Sequence, residues 1–253
     1  NGIKACLNEQ YPTVIEVTYT TSSPSPTFVE FGADGDYDHR TPLSEIKTEH
    51  RHALLGMAAG SEVSMRPVLI DEEGDEHYGP AQTIQLPAAP DDLPRFNLEV
   101  RNSQAEMSGR YLLTTVYNHG EGWVVVLNDR GKPVWYATPS EGEGVIGANI
   151  AGDRAGLIWM TGTIGIGVIE ETFAVLSSLD GSSHQIYDVS YGHHHLISNT
   201  GGDIIWLAYD EDTITIDGEE RVLYTDALKS VGPDGGEDST LFSFVDDYGL
   251  DPY

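Results

Sequence analysis

The sequence predicts an all-β protein in which an N-terminal β-sandwich precedes β-propeller blades that do not add up to a closed ring. Three observations predict it. Residues from Tyr11 to about Leu86 read as strands rich in β-branched and aromatic residues, broken by Gly, Ser, Thr and Pro. A proline-rich break follows. Beyond it, strand-turn-strand units echo one another at roughly 40 to 50 residues, the spacing of four-stranded blades.

Taken in order, Val14, Val17 and Tyr19 mark a first strand, which the Thr20 to Pro26 segment is expected to break. Thr27-Phe28-Val29-Glu30-Phe31-Gly32 is a second strand that ends on a glycine. His50-Arg51-His52-Ala53-Leu54 leads through the bend at Gly56 and Gly60 into a strand carrying Val63, Met65 and Val68. This succession resembles a fibronectin type III-like sandwich, a pattern shared by many β-sandwiches and informative about architecture alone. Pro87-Ala88-Ala89-Pro90-Asp91-Asp92-Leu93-Pro94 favours extended chain, and the domain boundary is expected there, with a sandwich over 1–90 and propeller blades over 96–253.

Trp123 to Leu127, the turn Asn128-Asp129-Arg130-Gly131-Lys132, and Val134-Trp135-Tyr136 make the first echo. Phe173 to Leu179, Asp180-Gly181, and His184 to Tyr187 make the second. Thr213 to Tyr224, turning at Asp217-Gly218, is a third, weaker one. Two and a half to three blades fit after Phe96, fewer than the roughly four to eight that close a propeller. Phe242 to Tyr248 reads as the lead into a further blade, so the chain is expected to be a fragment or processed form.

With 253 residues, 39% of them apolar, the chain can fill two domains and bury a sizeable core. Thirteen basic residues against 41 acidic ones give a formal charge of -28, a field that repels nucleic acid and anionic membrane surfaces. The single Cys6 excludes an intrachain disulfide. No run approaches the roughly 18 apolar residues of a membrane helix, and the first 20 residues lack the pattern of a signal peptide. The chain is expected to be mature sequence.

The stretch richest in chemistry is Gly192-His193-His194-His195-Leu196, followed by Asn199-Thr200-Gly201-Gly202-Asp203 and the apolar Ile204-Ile205-Trp206-Leu207. Three imidazoles at a strand entrance can bind anions, carry protons or ligate metal. Strand alternation predicts His193 and His195 on one face and His194 on the other. Four readings are open: substrate or anion binding in a central channel, a transition-metal site completed from elsewhere, histidines satisfied within the fold, and surface composition alone. One cysteine and no further histidine at short ligand spacing argue against metal, and no metal ligand is assigned.

Two histidines followed after a few residues by Asn or Pro, Gly, Asn or Asp and then an apolar strand, matched here by His193-His194 and the Asn199 to Asp203 turn, resemble the arylsulfotransferase family, in which a fibronectin-like sandwich precedes a six-bladed propeller. The turn-and-tryptophan units, Leu127 to Trp135 above all, are similar to that family's blade strands, and the likeness runs from about Tyr11 to Tyr253. The resemblance implies sulfuryl transfer from a phenolic sulfate ester to a phenol outside the cytoplasm, extracellular or periplasmic, with no nucleotide donor or other cofactor and through a covalent sulfohistidine. His193 and His194 match the family's paired histidines and are the expected substrate-binding residues. His195 stands where the family has an aspartate. The nucleophilic histidine and a sulfate-binding arginine come from later blades, so no catalytic residue is assigned here and the nucleophile is expected beyond this chain. The other function reading is a non-catalytic extracellular protein that binds a partner or assembles with copies of itself through exposed strand edges.

Other motifs are weaker. Asp34-Gly35-Asp36-Tyr37-Asp38 is either an acidic hairpin tip or the start of a calcium loop, though it lacks the glycine at the sixth position of such a loop, and Glu45 at the twelfth has the wrong surroundings. Asp71 to Glu76 reads as a solvated turn. Thr163-Ile164-Gly165-Ile166-Gly167 reads as a strand with closely approached backbone, because no lysine and no helix follow it. Asn118-His119-Gly120 reads as loop. No Gly-x-Ser-x-Gly element or paired Cys motif is present, which removes the serine hydrolase and zinc-ribbon classes.

Overall fold

The computed structural model describes residues 2–97, 99, 110–118, 121–139, 144–152, 156–164, 169–189, 191–199, 201–216 and 218–243. Among them there are strands and no helix. The strands are β1 Lys4–Leu7, β2 Ile15–Ser25, β3 Thr27–Ala33, β4 His39–Arg40, β5 Lys47–Leu54, β6 Glu62–Ile70, β7 Glu76–Tyr78, β8 Gln82–Gln85, β9 Tyr111–Asn118 and β10 Glu121–Asn128. They continue as β11 Pro133–Ala137, β12 Gly144–Ile150, β13 Gly156–Ile164, β14 Ile169–Ser178, β15 His184–Asp188, β16 Gly192–Ser198, β17 Ile204–Ile216, β18 Glu219–Val231 and β19 Ser239–Ser243. All belong to small antiparallel sheets, and no closed barrel forms among the described residues.

The chain divides into two compact units, one of residues 1–112 and 125–137, the other of 113–124 and 138–253. In the first, one sheet runs β1-β2-β5 and a second runs β4-β3-β6-β7, with β8 also on β6. Alternation builds the core between them: Ile15, Val17 and Tyr19 of β2 and Leu54 of β5 meet Val29 and Phe31 of β3 and Val63 and Met65 of β6. The expected break at Thr20 to Pro26 is instead a bulge. β2 continues to Ser25, and its register on β5 jumps from Thr20↔Glu49 to Ser25↔Lys47. The extra residues bend the strand, and β3 begins two residues later in the other sheet.

β3 is buried along nearly its whole length. Its inward residues meet the core, and its outward Phe28 and Glu30 are covered by arginine side chains, whose apolar stems and charged heads suit them to that task. The Arg40 guanidinium lies 5.0 Å from the Phe28 ring centre.

The second unit contains two four-stranded antiparallel meanders in chain order, β12-β13-β14-β15 and β16-β17-β18-β19. Ile158, Met160, Ala174, Tyr187 and Val189 on the first side pack against Leu196, Ile204, Trp206, Ala208 and Val231 on the second. The third echo is not a separate unit. Thr213 to Tyr224 is the outer part of the β17-β18 hairpin that starts at Ile204, because the ladder runs unbroken from Ile204↔Val231 to Ile216↔Glu219. β16 pairs β17 only as far as Ala208, and β19 pairs β18 only as far as Ala227. The outer pairs, Glu211↔Tyr224 to Ile216↔Glu219, therefore form a two-stranded ribbon among the described residues, about 20 Å long at strand rise.

One turn device recurs. Asn128 Oδ1 accepts the N–H groups of Arg130 and Lys132, both at 3.0 Å, and Asn199 Oδ1 accepts those of Gly201 and Asp203 at 2.8 and 3.0 Å. Asp71 Oδ1 does the same for Glu73 and Asp75. Each turn carries a left-handed glycine three residues on, Gly131, Gly202 or Gly74, a backbone region that a side chain disfavours.

Candidate functional site

The His193-His194-His195 segment begins β16, and its start is fixed from below. Thr172, buried on β14, donates its hydroxyl to Val189 O and accepts the Gly192 N–H at 3.0 Å. Gly192 N–H also reaches Val189 O at 3.0 Å, and Tyr209 N–H reaches Tyr191 O at 2.9 Å. A side chain at residue 192 would put its Cβ 2.8 Å from the sulfur of Met160, which is wholly buried, and 3.1 Å from Val189 O. Glycine at the head of the triplet is therefore a packing requirement.

The strand is irregular where the histidines stand. Its register on β17 runs Gly192↔Ala208, His194↔Leu207, Leu196↔Trp206, with a shift on each side of His194. His195 has a φ of 59°, and Tyr191 just before the strand has 57°. Two shifts and a left-handed residue undo the strict two-residue alternation expected of the triplet. His195 is exposed. The side chains of His193 and His194 lie outside the described residues. Non-glycine residues in this backbone region concentrate at functional sites, and histidine is among those that tolerate it.

A second group of imidazoles, to which sequence reading gave no role, lies between the two sheets of the first unit. His50 and His52 are two apart on β5 and only 3% and 6% exposed. Thr27 Oγ1 stands 2.9 Å from His50 Nδ1 and 3.2 Å from His52 Nε2, and it accepts the Tyr19 hydroxyl at 2.8 Å. Thr41 Oγ1 accepts the Val29 N–H at 3.0 Å and lies 3.0 Å from His52 Nδ1. Thr21 Oγ1 lies 3.3 Å from His50 Nε2 and donates to Ser23 O.

These contacts admit one continuous direction. Val29 N–H donates to Thr41, Thr41 to His52 Nδ1, and His52 Nε2–H to the Tyr19 oxygen 3.2 Å away. Tyr19 donates to Thr27, Thr27 to His50 Nδ1, and His50 Nε2–H to Thr21. In this assignment both rings are neutral and protonated on Nε2, and each hydroxyl donates once. Burial pulls His52 down to about 4, with repulsion from His50 and Lys47 adding to it, and burial also lowers His50 and raises Tyr19. Neutral, saturated rings have no charge to offer an anion. The network joins β2 and β5 to β3 and to Thr41 beyond β4, and its chemistry is structural.

Glu30 forms the counterpart on the outer face of β3. It is 4% exposed. Arg66 Nε and Nη2 reach its Oε2 at 2.9 and 2.7 Å, and Arg40 Nη2 reaches Oε1 at 3.0 Å. The Arg66 guanidinium lies 4.3 Å from the ring centres of both Tyr37 and Tyr78. Two cations on one buried carboxylate, with aromatic faces beside one of them, tie β3, β4, β6 and β7 together.

Asp34 and Gly35 turn the β3-β4 hairpin with φ values of 55° and 88°, closed by Asp36 N–H on Ala33 O at 3.0 Å. Positive φ at both central residues makes this the tight hairpin turn that Asp-Gly favours. Among the described residues no three His, Cys, Asp or Glu side chains gather to hold a metal ion.

No protein-family model matches the chain, and no curated protein matches it.

The structure brings His193, His194 and His195 onto one strand beside the second unit's core, and it keeps His50 and His52 apart from them in the first unit. Gly165 to Gly167, His119, Gly120 and the end of the chain from Phe244 lie outside the described residues. Two signals for what sequence reading missed were present. Histidines two apart on a strand ending at Leu54 share a face with its core residue, and Glu30 sits inside the apolar Phe28 to Phe31 run.

Proposed function

We propose that the chain is arylsulfotransferase-like and moves sulfuryl groups from a phenolic sulfate ester to a phenol, with His193 and His194 binding the substrate. The observation that carries this reading is the setting of β16. It is the first strand of a four-stranded antiparallel meander and packs against the meander before it. We read these meanders as successive propeller blades, whose first strands line a central channel, and the two packed sheets of the first unit as the fibronectin-like sandwich.

In this chemistry a histidine ring nitrogen attacks sulfur and the aryl oxygen leaves as phenolate. The acceptor phenol then takes the sulfuryl group from the sulfohistidine and loses its proton. His193 and His194 hold the sulfate oxygens and balance charge at the leaving oxygen. The reading assigns the nucleophile to no residue of this chain. The setting is extracellular or periplasmic.

The test is release of chromophore from a chromogenic aryl sulfate with and without phenol, for the natural protein and for a His193→Ala/His194→Ala variant of verified fold. Phenol-dependent release that the variant loses supports the reading. No release by folded natural protein removes it.

The ribbon at the end of β17-β18 favours the second reading, a non-catalytic protein that associates through strand edges. Val222 is 51% and Tyr224 66% exposed on it. Unpaired edges of this kind recruit further strands. Light scattering on a variant shortened between Asp210 and Thr225 tests it, since association that survives the deletion does not use the ribbon.

A further inference from the structure

Within the first unit the Asp34 turn, the loop from Gly56 to Ser61 and the Asn128 hairpin surround a cleft of about 460 Å³, a size typical of small-molecule sites. Its rim is charged with both signs. Asp34, Asp36, Asp38 and Asp129 supply carboxylates, and Arg110 and Arg130 supply guanidinium groups. Met57 and Ala58 contribute apolar surface to the lining. Tyr111 stands in the wall with 47% of its surface open, and its hydroxyl is seated against Gly56, where a Cβ would lie 2.7 Å from the phenolic oxygen. The φ of 91° at Gly56 keeps that position for glycine.

The two arginines differ from the four that are held in ion pairs. Arg40, Arg51, Arg66 and Arg221 each pair with a carboxylate. Arg110 and Arg130 have no ion-pair partner among the described residues, in a chain where acids outnumber bases 41 to 13. Two guanidinium groups with ten N–H donors between them face the same space as several carboxylates that only accept.

The charge pattern eliminates most ligand classes. A metal ion lacks a gathered donor set among the described residues. An anion meets four carboxylates against two cations. A polyamine leaves the two arginines unpaired and facing like charge. An apolar molecule strips water from a charged rim. A sugar needs no net charge, because each hydroxyl donates to a carboxylate and accepts from a guanidinium, while its C–H face lies on a tyrosine ring or apolar surface.

We propose that this cleft binds a neutral oligosaccharide, with Arg110, Arg130, Asp34 and Asp129 engaging hydroxyls and Tyr111 supporting a pyranose face. This activity is separate from the β16 histidines and stands whether or not sulfuryl transfer does.

The experiment titrates maltotriose, cellotriose and chitotriose separately into the full chain, followed by saturation-transfer NMR and calorimetry, with spermidine as competitor. At least one trisaccharide is expected to bind. Arg130→Ala and Tyr111→Ala, both exposed positions whose folding is checked by circular dichroism, each weaken binding by about tenfold or more, as loss of a charged hydrogen bond or a stacking face requires. Arg221→Ala, on the ribbon of the other unit, leaves it unchanged. Failure of all three sugars to bind at millimolar concentration, binding that survives both cleft variants, or displacement of sugar by stoichiometric spermidine each overturns the proposal.

Discussion

The Thr27 hydroxyl stands 2.9 Å from His50 Nδ1, and through it one buried side chain holds a hydrogen-bond chain that passes from one sheet to the other. Thr27 is itself fully buried. Thr27→Val keeps the shape and removes the link, leaving the Tyr19 hydroxyl without its acceptor and His50 Nδ1 with only the Ser44 hydroxyl, 3.3 Å away. The expected cost is about 1–3 kcal/mol, from the Tyr19 hydroxyl left buried and unsatisfied. Urea unfolding measures it, and a change below about 0.5 kcal/mol contradicts a connected chain.

The same network makes stability depend on pH. The folded protein holds His52 near 4, against about 6.5 when unfolded. Between those values the unfolded chain binds a proton that the folded one does not, so stability is complete above about pH 6.5 and falls as pH falls toward 4. His50 is shifted in the same direction. After a discount for solvent screening the loss attributable to His52 is about 2 kcal/mol. His52→Gln removes this slope while leaving that of the carboxylates. Equal midpoint shifts for both proteins between pH 7.5 and 4.5 would show that His52 is not held neutral.

Glu30→Gln leaves Arg66 and Arg40 facing a neutral amide in a spot only 4% exposed. A loss of about 2–4 kcal/mol is expected, because removing one member of a buried ion pair strands its partners, and the partial exposure of both arginines tempers it. Arg66→Lys recovers little, since an ammonium cannot match the two-pronged contact or the stacking between Tyr37 and Tyr78. Paired urea titrations of the two variants decide this.

Gly192→Ala drives a methyl group into Met160 and the Val189 carbonyl. Overpacking of that kind costs about 1–3 kcal/mol. If the contact with Met160 is the cause, the double variant Gly192→Ala/Met160→Ala loses less than the sum of the single ones, a coupling of at least about 0.5 kcal/mol in thermal unfolding. Strict additivity would assign the loss to the backbone around Val189 instead.

Turn chemistry made much of the strand pattern legible. Asp34-Gly35 and Asp180-Gly181 mark hairpins because the backbone takes positive φ at Asp34, Gly35 and Gly181. The equivalence of the Asn128 and Asn199 turns was also present, as Asn, then Gly three residues on and Trp seven on, at Gly131 and Trp135 and again at Gly202 and Trp206. It was missed because the acceptor that closes each turn is a side chain, and strand patterning does not register it. The full length of β17 was hidden because the acidic run Asp210-Glu211-Asp212 separates the apolar Ile204 to Leu207 from Thr213, and its ladder with β18 holds it in one strand.

The histidine triplet was legible as a strand start and not in its orientation. Alternation presumes a regular ladder, and the register shifts around His194 come from long-range pairing with β17. The buried pair shows the reverse case. His50 and His52 follow regular alternation, but their meaning depends on Thr27 and Thr41, which reach them from the other sheet.

The long hairpin of β17 and β18 joins two kinds of backbone in one pair of strands. Up to Ala208 and Ala227 each strand has neighbours on both sides, while from Glu211 to Tyr224 the two have only each other in the ladder among the described residues. Breaking the inner amides requires opening a four-stranded sheet, and breaking the outer ones requires only fraying a ribbon. Deuterium uptake along either strand will therefore step sharply near Asp210 and Thr225, with slow and fast amides a few residues apart in the same chain segment.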